Sequence, residues 1–328
     1  KEENNIFGST NNASTFKIQI SEIDRNPVLL DLNKGKTYIE KITKKDNKGN
    51  PIINNETQQP EKRSIELGII DYLAYGSLME YDSILGRNKY IKSHYQSGTK
   101  FKVSFTFKNS NYINQVLQSF KMLANFGGMG SKSRNGFGSF VIIEGNEYLE
   151  DVVLNTSIYD NVEPREFLIL SKEKCLIGIK NTYDNWECAL SKVGLTYRSA
   201  RLSLENKHSF YERAKISLPI IVKYEKVPAQ FIKARLSKPL FMHIIKDKDN
   251  KYRGQILLIP YKFKKSSQDD YDDVNYDIDL SKQKTKDKTE TSNINYYFDK
   301  DFWVKFKILL RSYQKKYDVQ NDCWGDKI

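Results

Sequence analysis

Hydrophobic and polar residues alternate in two stretches of the first half of the chain. Between residues 15 and 23, Phe16, Ile18 and Ile20 are separated by polar residues, and residues 100–107 alternate in the same way. A period of two places the apolar side chains on one face, which is typical of a half-buried strand. We therefore predict a strand in both stretches. Short apolar runs predict further strands over residues 65–75, 140–143, 218–222, 240–245 and 255–260.

Apolar residues recur every three or four positions in other stretches, and this spacing predicts amphipathic helices. In the clearest of them the repeating residues include Val116, Leu117 and Phe120. A second helix is expected to begin after Asn185, because an asparagine side chain suits the N-cap position. The predicted helices cover residues 112–126, residues from 186 onwards, and residues 299–317.

The mixture of strands and helices predicts an α+β fold, and 328 residues suit two domains of ordinary size. We assign the first domain to residues 1–161 and the second to residues 162–328. A polar stretch over residues 44–64 predicts an exposed hairpin tip or a loop. Residues 266–290 hold eight acidic residues against four lysines and few aliphatic ones, so we expect a disordered or surface insertion there.

The composition narrows the class of protein. Hydrophobic residues make up 39% of the chain, and no apolar run approaches the roughly 18 residues that a membrane helix requires. The three cysteines are widely spaced and lack the spacing of a zinc or redox site, which fits a reducing, cytoplasmic compartment. The net charge of +12 favours polyanionic partners, although a lysine-rich composition that reflects an AT-rich genome would raise it too.

Residues 127–138, with the sequence GGMGSKSRNGFG, carry the strongest functional pattern of the chain. They lie between a predicted helix and a predicted strand. Glycine permits a positive φ and lets another molecule approach the backbone N–H groups closely. Lys132 and Arg134 add positive charge, and Ser131 and Ser133 add hydroxyl groups. Together these groups are suited to binding a phosphodiester backbone.

Two nucleotide-binding patterns do not account for this loop. The GxGxxG pattern of dinucleotide-binding folds is absent, as is the GxxxxGK[ST] pattern of P-loops. Both patterns also require a strand before the loop and a helix after it, which is the reverse of the order predicted here. From the residues alone, a glycine-rich connection with solvated charges stays open as the alternative to nucleic-acid contact.

The loop closely resembles the glycine-rich loop of the RAMP superfamily of CRISPR proteins. In that superfamily the loop follows the last helix of a ferredoxin-like domain. Gly128 and Gly130 match the front glycine pair of the pattern, and Gly136 and Gly138 match the rear pair. The resemblance implies two ferredoxin-like domains in tandem, with the loop in contact with RNA.

Three further stretches resemble the subunit-one family of the Cmr complex, the type III-B CRISPR effector. They are IFGS over residues 6–9, WECALSKVGLTYRSAR over residues 186–201, and RLSKPL over residues 235–240 together with QILLIP over residues 255–260. Members of that family normally have an apolar strand and an arginine-rich helix before the IFGS segment. This sequence begins at Lys1 without them, and we expect the intact protein to contain both.

The resemblance implies a subunit that lacks nuclease activity and contacts RNA across the loop and the cleft between its domains. Its expected partners are guide RNA and target RNA, near the 3′ end of the guide, and other RAMP subunits. Recognition would rest on phosphates, 2′-hydroxyls and shape. The candidate contacts are Gly128, Gly130, Ser131, Lys132, Ser133, Arg134, Gly136, Gly138, Arg198, Arg201, Arg235 and Lys238.

Some of these candidates have ordinary alternatives. Arg198 and Arg201 are three residues apart and would share a helix face if the helix continues that far. Arg198 could equally pair with Glu187 or Glu205, and Lys238 could simply be solvated.

The residues give little support for catalysis, for a metal or for a cofactor. The three histidines, His94, His208 and His243, show neither HExxH spacing nor a cysteine partner, and a GxSxG elbow is absent. His94 lies in a basic, tyrosine-rich segment and could act as a general acid or base. An endoribonuclease that processes CRISPR transcripts is therefore one alternative function, and a purely architectural subunit is the other.

Overall fold

The structure is a computed structural model. It describes residues 6–11, 13–22, 27–28, 37–44, 46, 50–84, 87–92, 94–150, 154–205, 211–217, 236–247, 249–264 and 296–318. Within these residues the strands are β1 (Phe16–Glu22), β2 (Pro27–Val28), β3 (Thr37–Thr43), β4 (Lys62–Gly68), β5 (Met79–Asp82), β6 (Arg87–Tyr90), β7 (His94–Tyr95), β8 (Phe101–Phe107), β9 (Cys175–Gly178), β10 (Leu240–Lys246), β11 (Tyr252–Leu258), β12 (Phe263–Lys264) and β13 (Tyr296–Tyr297). The helices are α1 (Ile69–Ala74), α2 (Ile113–Phe126), α3 (Glu147–Glu150), α4 (Trp186–Leu202), α5 (Tyr211–Ala214) and α6 (Lys300–Asp318), with short 3₁₀ turns at Ser110–Tyr112 and Thr156–Tyr159.

The two strands predicted from strict alternation form one antiparallel pair. β1 and β8 run side by side, with Phe16 opposite Phe107. α2 packs against this pair, and the rings of Phe105 and Phe120 meet edge to face with their centroids 5.2 Å apart. A small core forms around Phe16, together with Ile6 and Val116. The predictions of both strands and of the helix over residues 112–126 are confirmed.

The largest core lies in the second half of the chain. β10, β11 and β9 form a three-stranded antiparallel sheet in that order, and α4 packs on its β10 and β11 strands. α6 covers α4 and buries Trp303 completely, and the indole Nε1 of Trp303 donates a hydrogen bond to Tyr261 O at 3.1 Å. Asn185 caps α4 as predicted, because its Oδ1 accepts a hydrogen bond from Cys188 N at 3.0 Å.

The predicted strand over residues 65–75 is correct only at its start. Its first residues belong to β4, which pairs with β3, but Ile69–Ala74 form helix α1. Short apolar runs fit a buried helix as well as a strand, and packing decides this one. A Cβ built on Gly194 of α4 would lie 2.6 Å from Ile69 and 2.8 Å from Leu73, so the glycine lets α1 approach α4 closely.

The predicted strand over residues 140–143 is wrong, because this segment has no strand structure. A strand needs a neighbouring strand to receive its backbone hydrogen bonds, and among the described residues none pairs with this segment. The ring of Phe140 instead packs on Phe120 of α2, with centroids 5.8 Å apart, while Ile143 is 71% exposed. The run is therefore an irregular connection beside α2.

Other expectations have mixed outcomes. The helix predicted over residues 299–317 is confirmed as α6, and the polar stretch over residues 44–64 contains the connection between β3 and β4, as predicted. The strands predicted over residues 240–245 and 255–260 correspond to β10 and β11. The predicted strand over residues 218–222 and the acidic insertion over residues 266–290 lie outside the described residues.

At the level of the whole chain, the α+β class is confirmed by these helices and strands. The tandem ferredoxin-like arrangement and the boundary between residues 161 and 162 stay predictions. One contact bears on any such division, since Ile69 and Leu73 of the first half belong to the core of the second half. In the described part of the chain, no helix is long and apolar enough to cross a membrane.

Candidate nucleic-acid interface

The glycine-rich loop over residues 127–138 begins where α2 ends and closes on itself. Gly127 N donates the last hydrogen bond of the helix, to Leu123 O at 2.9 Å, and the extended backbone of Gly127 then ends the helix. Met129 N then donates to Gly138 O, also at 2.9 Å, so that the two ends of the loop are joined. The ten residues from Met129 to Gly138 therefore form one closed turn.

The glycines at the two ends of the loop are required by close contact. Gly138 has a φ of 67°, and a Cβ built there would lie only 1.8 Å from Met129 O. A Cβ on Gly128 would lie 2.9 Å from Phe137 O. Gly136 has a φ of 90°, and a Cβ built there would lie 2.6 Å from the side chain of Leu190 in α4. Only Gly130, of the four glycines in the matched pairs, has open space around it, although its φ is 86°.

The loop is attached to the edge of β10 that faces away from β11. Met242 N donates to Arg134 O at 3.1 Å, which forms a short bridge between the loop and the strand. Ser139 continues the attachment, because its hydroxyl accepts from Ile244 N at 3.2 Å and donates to Gly136 O at 2.8 Å. The loop is thus held by backbone contacts that do not depend on its charged side chains.

Lys132 lies at the tip of this attached turn in a strained conformation. Its φ is 60°, a value that is uncommon for a residue with a side chain and that recurs at functional sites. The Nζ of Lys132 lies close to Gly76, because a Cβ built on Gly76 would be 3.6 Å from this Nζ. Burial lowers the pKa of Lys132 from its ordinary value of 10.5.

Arg134 extends from the loop toward the segment before β10. Its Nη1 donates to Lys238 O at 2.9 Å, and its guanidinium lies over the ring of Phe241 at 4.9 Å from the centroid. Burial lowers the pKa of Arg134, which stays charged at neutral pH because arginine is not deprotonated in proteins. These two contacts fix the guanidinium without neutralising its charge.

Lys238 lies at the centre of the arrangement. Its Nζ donates to Asn135 Oδ1 and lies over the ring of Tyr197 at 4.4 Å from the centroid. Asn135 Nδ2 in turn donates to Leu73 O at 2.6 Å, which ties the loop to α1. The pKa of Lys238 is well below 10.5, because of burial and because Arg201, Lys132 and Arg134 repel its charge.

Arg201, on the last turn of α4, is the fourth cation. Burial by itself lowers the pKa of its guanidinium, but Tyr197, a hydrogen-bonded Tyr72 and Glu205 outweigh that effect and raise it. Glu205 also binds Arg213, whose Nε donates to it at 2.9 Å. We call Lys132, Arg134, Arg201 and Lys238 the cationic cluster.

Two features make the cationic cluster suited to an anion. Among the described residues, no salt bridge to a carboxylate involves Lys132, Arg134 or Lys238. In addition, the backbone N–H groups of residues 130–134 donate no hydrogen bond to any described residue. Uncompensated charge beside unused backbone donors is the arrangement by which turns of the chain bind phosphate.

The structure brings together candidates from three separate parts of the sequence. The loop, the end of α4 and the segment before β10 contribute Lys132, Arg134, Arg201 and Lys238, whereas Arg198 is half-buried and is not among the charges that act on Lys238. Arg235 lies outside the described residues. Ser131 and Ser133 are half-buried within the loop, where Ser133 O accepts from Gly136 N at 3.1 Å.

Sequence reasoning missed three residues that shape the cluster. Asn135 connects Lys238 to α1. The ring of Tyr197 makes a cation–π contact with Lys238, and the ring of Phe241 makes one with Arg134. Asn135 could have been suspected because it is the one amide inside the loop. The two aromatic residues gave no such indication, since aromatic residues in predicted helices and strands are usually core.

Among the described residues, no group of three or more His, Cys, Asp or Glu is placed to hold a metal ion. His94 lies in β7, where it pairs with Val28 of β2, and His208 lies outside the described residues. His243 is buried in β10.

Comparison with known proteins agrees with the interpretation of the loop. Residues 1–141 match the model of the RAMP superfamily, a range that includes the whole glycine-rich loop. The structure also resembles the crystal structure of Cmr1 from Pyrococcus furiosus in its apo form, with 19% sequence identity, a TM-score of 0.43, and coverage of 79% of this chain and 70% of that one. At this TM-score the likeness carries over no residue role. No curated protein matches the chain.

Gly130→Ala and Gly138→Ala separate backbone strain from close contact. Both positions have a positive φ, so each alanine should cost about 1–2 kcal/mol in the free energy of unfolding. At position 138 the new Cβ also meets Met129 O, which should add about 1–3 kcal/mol. Gly138→Ala should therefore be the less stable variant, and urea unfolding of both variants, followed by circular dichroism, measures the difference. Equal losses at the two positions would show that the loop does not close through Met129 and Gly138.

Proposed function

From the premise that residues 1–141 are RAMP-superfamily sequence, we propose that the chain is a non-catalytic, RNA-binding subunit of a type III-B CRISPR (Cmr) ribonucleoprotein. Its partners are guide RNA, target RNA and other RAMP subunits, and it works in the cytoplasm near the 3′ end of the guide. The cationic cluster and the backbone donors of the glycine-rich loop hold the phosphates of that RNA.

One observation carries the proposal, and it is the convergence of four cations beside a loop with unused backbone donors. Charges of one sign repel each other strongly when they are removed from water. Burial is the main cause of the low pKa of Lys238, and the repulsion by Arg201, Lys132 and Arg134 lowers it further. A phosphodiester would relieve that repulsion, because its negative charge stabilises all four cations at once and its oxygens accept charge-assisted hydrogen bonds.

The groups in the cluster fit recognition of a backbone rather than of a base sequence. Ammonium groups, a guanidinium held by Lys238 O and backbone N–H groups bind phosphate oxygens, which are the same in every nucleotide. Sequence selection is then left to pairing between guide and target. The subunit is expected to bind single-stranded RNA with little sequence preference.

Replacing both Lys132 and Arg134 by alanine should weaken RNA binding without unfolding the loop. The backbone bonds of the loop to β10 remain, so the loop should keep its fold. Loss of the hydrogen bond from Arg134 to Lys238 O should lower the free energy of unfolding by about 1.5–3 kcal/mol. Because single-stranded RNA releases about 0.7 counterion per phosphate neutralised, the slope of log K against log salt should fall by about one to two units. Fluorescence anisotropy of a labelled RNA over a salt series measures both quantities.

The matched control replaces Lys300 and Lys315, two exposed lysines of α6, by alanine. It removes the same charge far from the loop in sequence and should leave the salt slope close to that of the parent. If the loop variant binds RNA and joins its ribonucleoprotein as well as the parent does, the basic residues of the loop are solvated. The architectural alternative would then be favoured.

RNA binding should be coupled to proton uptake at Lys238. In the free protein its pKa is lowered, and a bound phosphate would raise that pKa toward the ordinary 10.5. Affinity should therefore be highest below the lowered pKa, where Lys238 is already charged. It should fall as the pH rises through that pKa, because neutral Lys238 must then take up a proton from solvent when RNA binds. Calorimetric titration in two buffers with different ionisation enthalpies measures the uptake. Lys238→Met should abolish it, and uptake that persists in this variant would assign the proton to another group.

The non-catalytic role is tested by incubating RNA with the purified chain, with and without divalent metal ions. RNA should stay intact in both conditions, because the described residues contain no group suited to a metal site and the proposed contacts only bind phosphate. Specific cleavage that survives purification and disappears in His94→Ala would establish the endoribonuclease alternative instead.

A further inference from the structure

A cavity of about 470 Å³ lies close to the start of the glycine-rich loop, because His243 of its lining contacts Gly127. It is open to solvent on one side and is lined by the second half of α2, by residues 141–145, by α3 with Leu154, and by His243 and Ile245 of β10. Pockets that take small organic groups have volumes of about 300–1,000 Å³ and a mostly apolar lining with a few polar groups. This cavity matches that description, because Ala124, Val141, Ile142 and Leu149 contribute apolar surface.

His243 is the buried polar residue of the lining. It is 1% exposed, and its Nδ1 lies 2.7 Å from Gly127 O. A carbonyl oxygen only accepts, so Nδ1 carries the proton and Nε2 presents a lone pair. Among the described residues Nε2 has no hydrogen-bond partner. Leaving a buried acceptor unsatisfied is costly, and native proteins rarely do so without a reason.

The protonation state of His243 is fixed by the same surroundings. Burial lowers the pKa of the imidazole, and the weaker effect of its bond to Gly127 does not reverse that. The ring is therefore neutral at pH 7 and accepts a hydrogen bond at Nε2. An occupant that satisfies it must bring a donor, such as an N–H group.

The part of the lining formed by residues 141–145 also has unused hydrogen-bonding groups. The backbone groups of residues 141–145 make no hydrogen bond with one another or with other described residues. The charged side chains of the lining are Lys121, Glu144 and Glu150. Two carboxylates against one ammonium disfavour a phosphate in the cavity. They favour an uncharged group that is rich in donors.

We propose that this cavity binds a nucleobase, which lies against the apolar lining and donates an N–H hydrogen bond to Nε2 of His243. This inference rests on the proposed function, because the base would belong to the RNA strand whose phosphates occupy the cationic cluster. His243 follows Lys238 by five residues, so the two lie at most about 18 Å apart along the chain. One short strand of RNA is long enough to span both sites.

The test compares two ligands that carry the same number of phosphates. One is a ten-nucleotide single-stranded RNA, and the other is an abasic ribose-phosphate chain of equal length. The cationic cluster should bind both, but the cavity should bind only the RNA. We expect the parent protein to prefer the RNA by about tenfold in Kd, which is the usual effect of one hydrogen bond with a buried partner.

Two variants and a control assign that preference to the cavity. His243→Leu removes the acceptor, and Ala124→Leu fills the cavity from α2 while His243 keeps its bond to Gly127. Both should bind the two ligands with nearly equal affinity. Ser119→Leu adds the same volume at an exposed position of the same helix and should keep the tenfold preference. Because Ala124→Leu leaves His243 in place, a folding defect in His243→Leu does not decide the result.

Each contrary outcome has its own meaning. If the parent binds both ligands equally well, the inference is wrong and the proposed function stands. If it binds neither, the proposed function itself fails. Binding of free adenosine that the two cavity variants abolish, without any preference for RNA over the abasic chain, would assign the cavity to a free nucleoside. Loss of assembly with partner subunits in both variants, with the RNA preference intact, would assign it to a protein segment.

Discussion

The attachment of the glycine-rich loop to the free edge of β10 is the contact on which the candidate interface depends. Two backbone groups of the strand, Met242 N and Ile244 N, bind Arg134 O and the hydroxyl of Ser139. This attachment holds the loop beside α4 and beside the segment that carries Lys238. Because it uses backbone groups and one serine, the charged side chains of the loop remain available to a ligand.

The same arrangement stores unfavourable energy where the ligand is expected to bind. Lys132 has a left-handed backbone, and Lys238 lies half-buried among three other cations. Neither feature strengthens the core, and each lowers the stability of the free protein. Groups held in unfavourable states by a well-packed scaffold gain most from an oppositely charged ligand. The repulsion among the cations in the free protein and the affinity for a polyanion therefore have one cause.

The sequence predicted local structure well and tertiary contacts poorly. The spacing of apolar residues was sufficient for α2, and the glycine pairs identified a loop whose ends really meet at Met129 and Gly138. It misplaced residues 69–74 and 140–143, because short apolar runs become helix or strand according to what packs beside them. The convergence of Arg201 and Lys238 on the loop was only a family expectation, since no local pattern records which distant segments meet.

The most direct test of the central claim is an experimental structure of the intact chain bound to a short single-stranded RNA. The account predicts a phosphate within hydrogen-bond distance of Lys132, Arg134 or Lys238 and of the backbone N–H groups of residues 130–134. It also predicts that the loop keeps its bonds to β10. An RNA that lies elsewhere, with these cations still free of phosphate, would contradict the account.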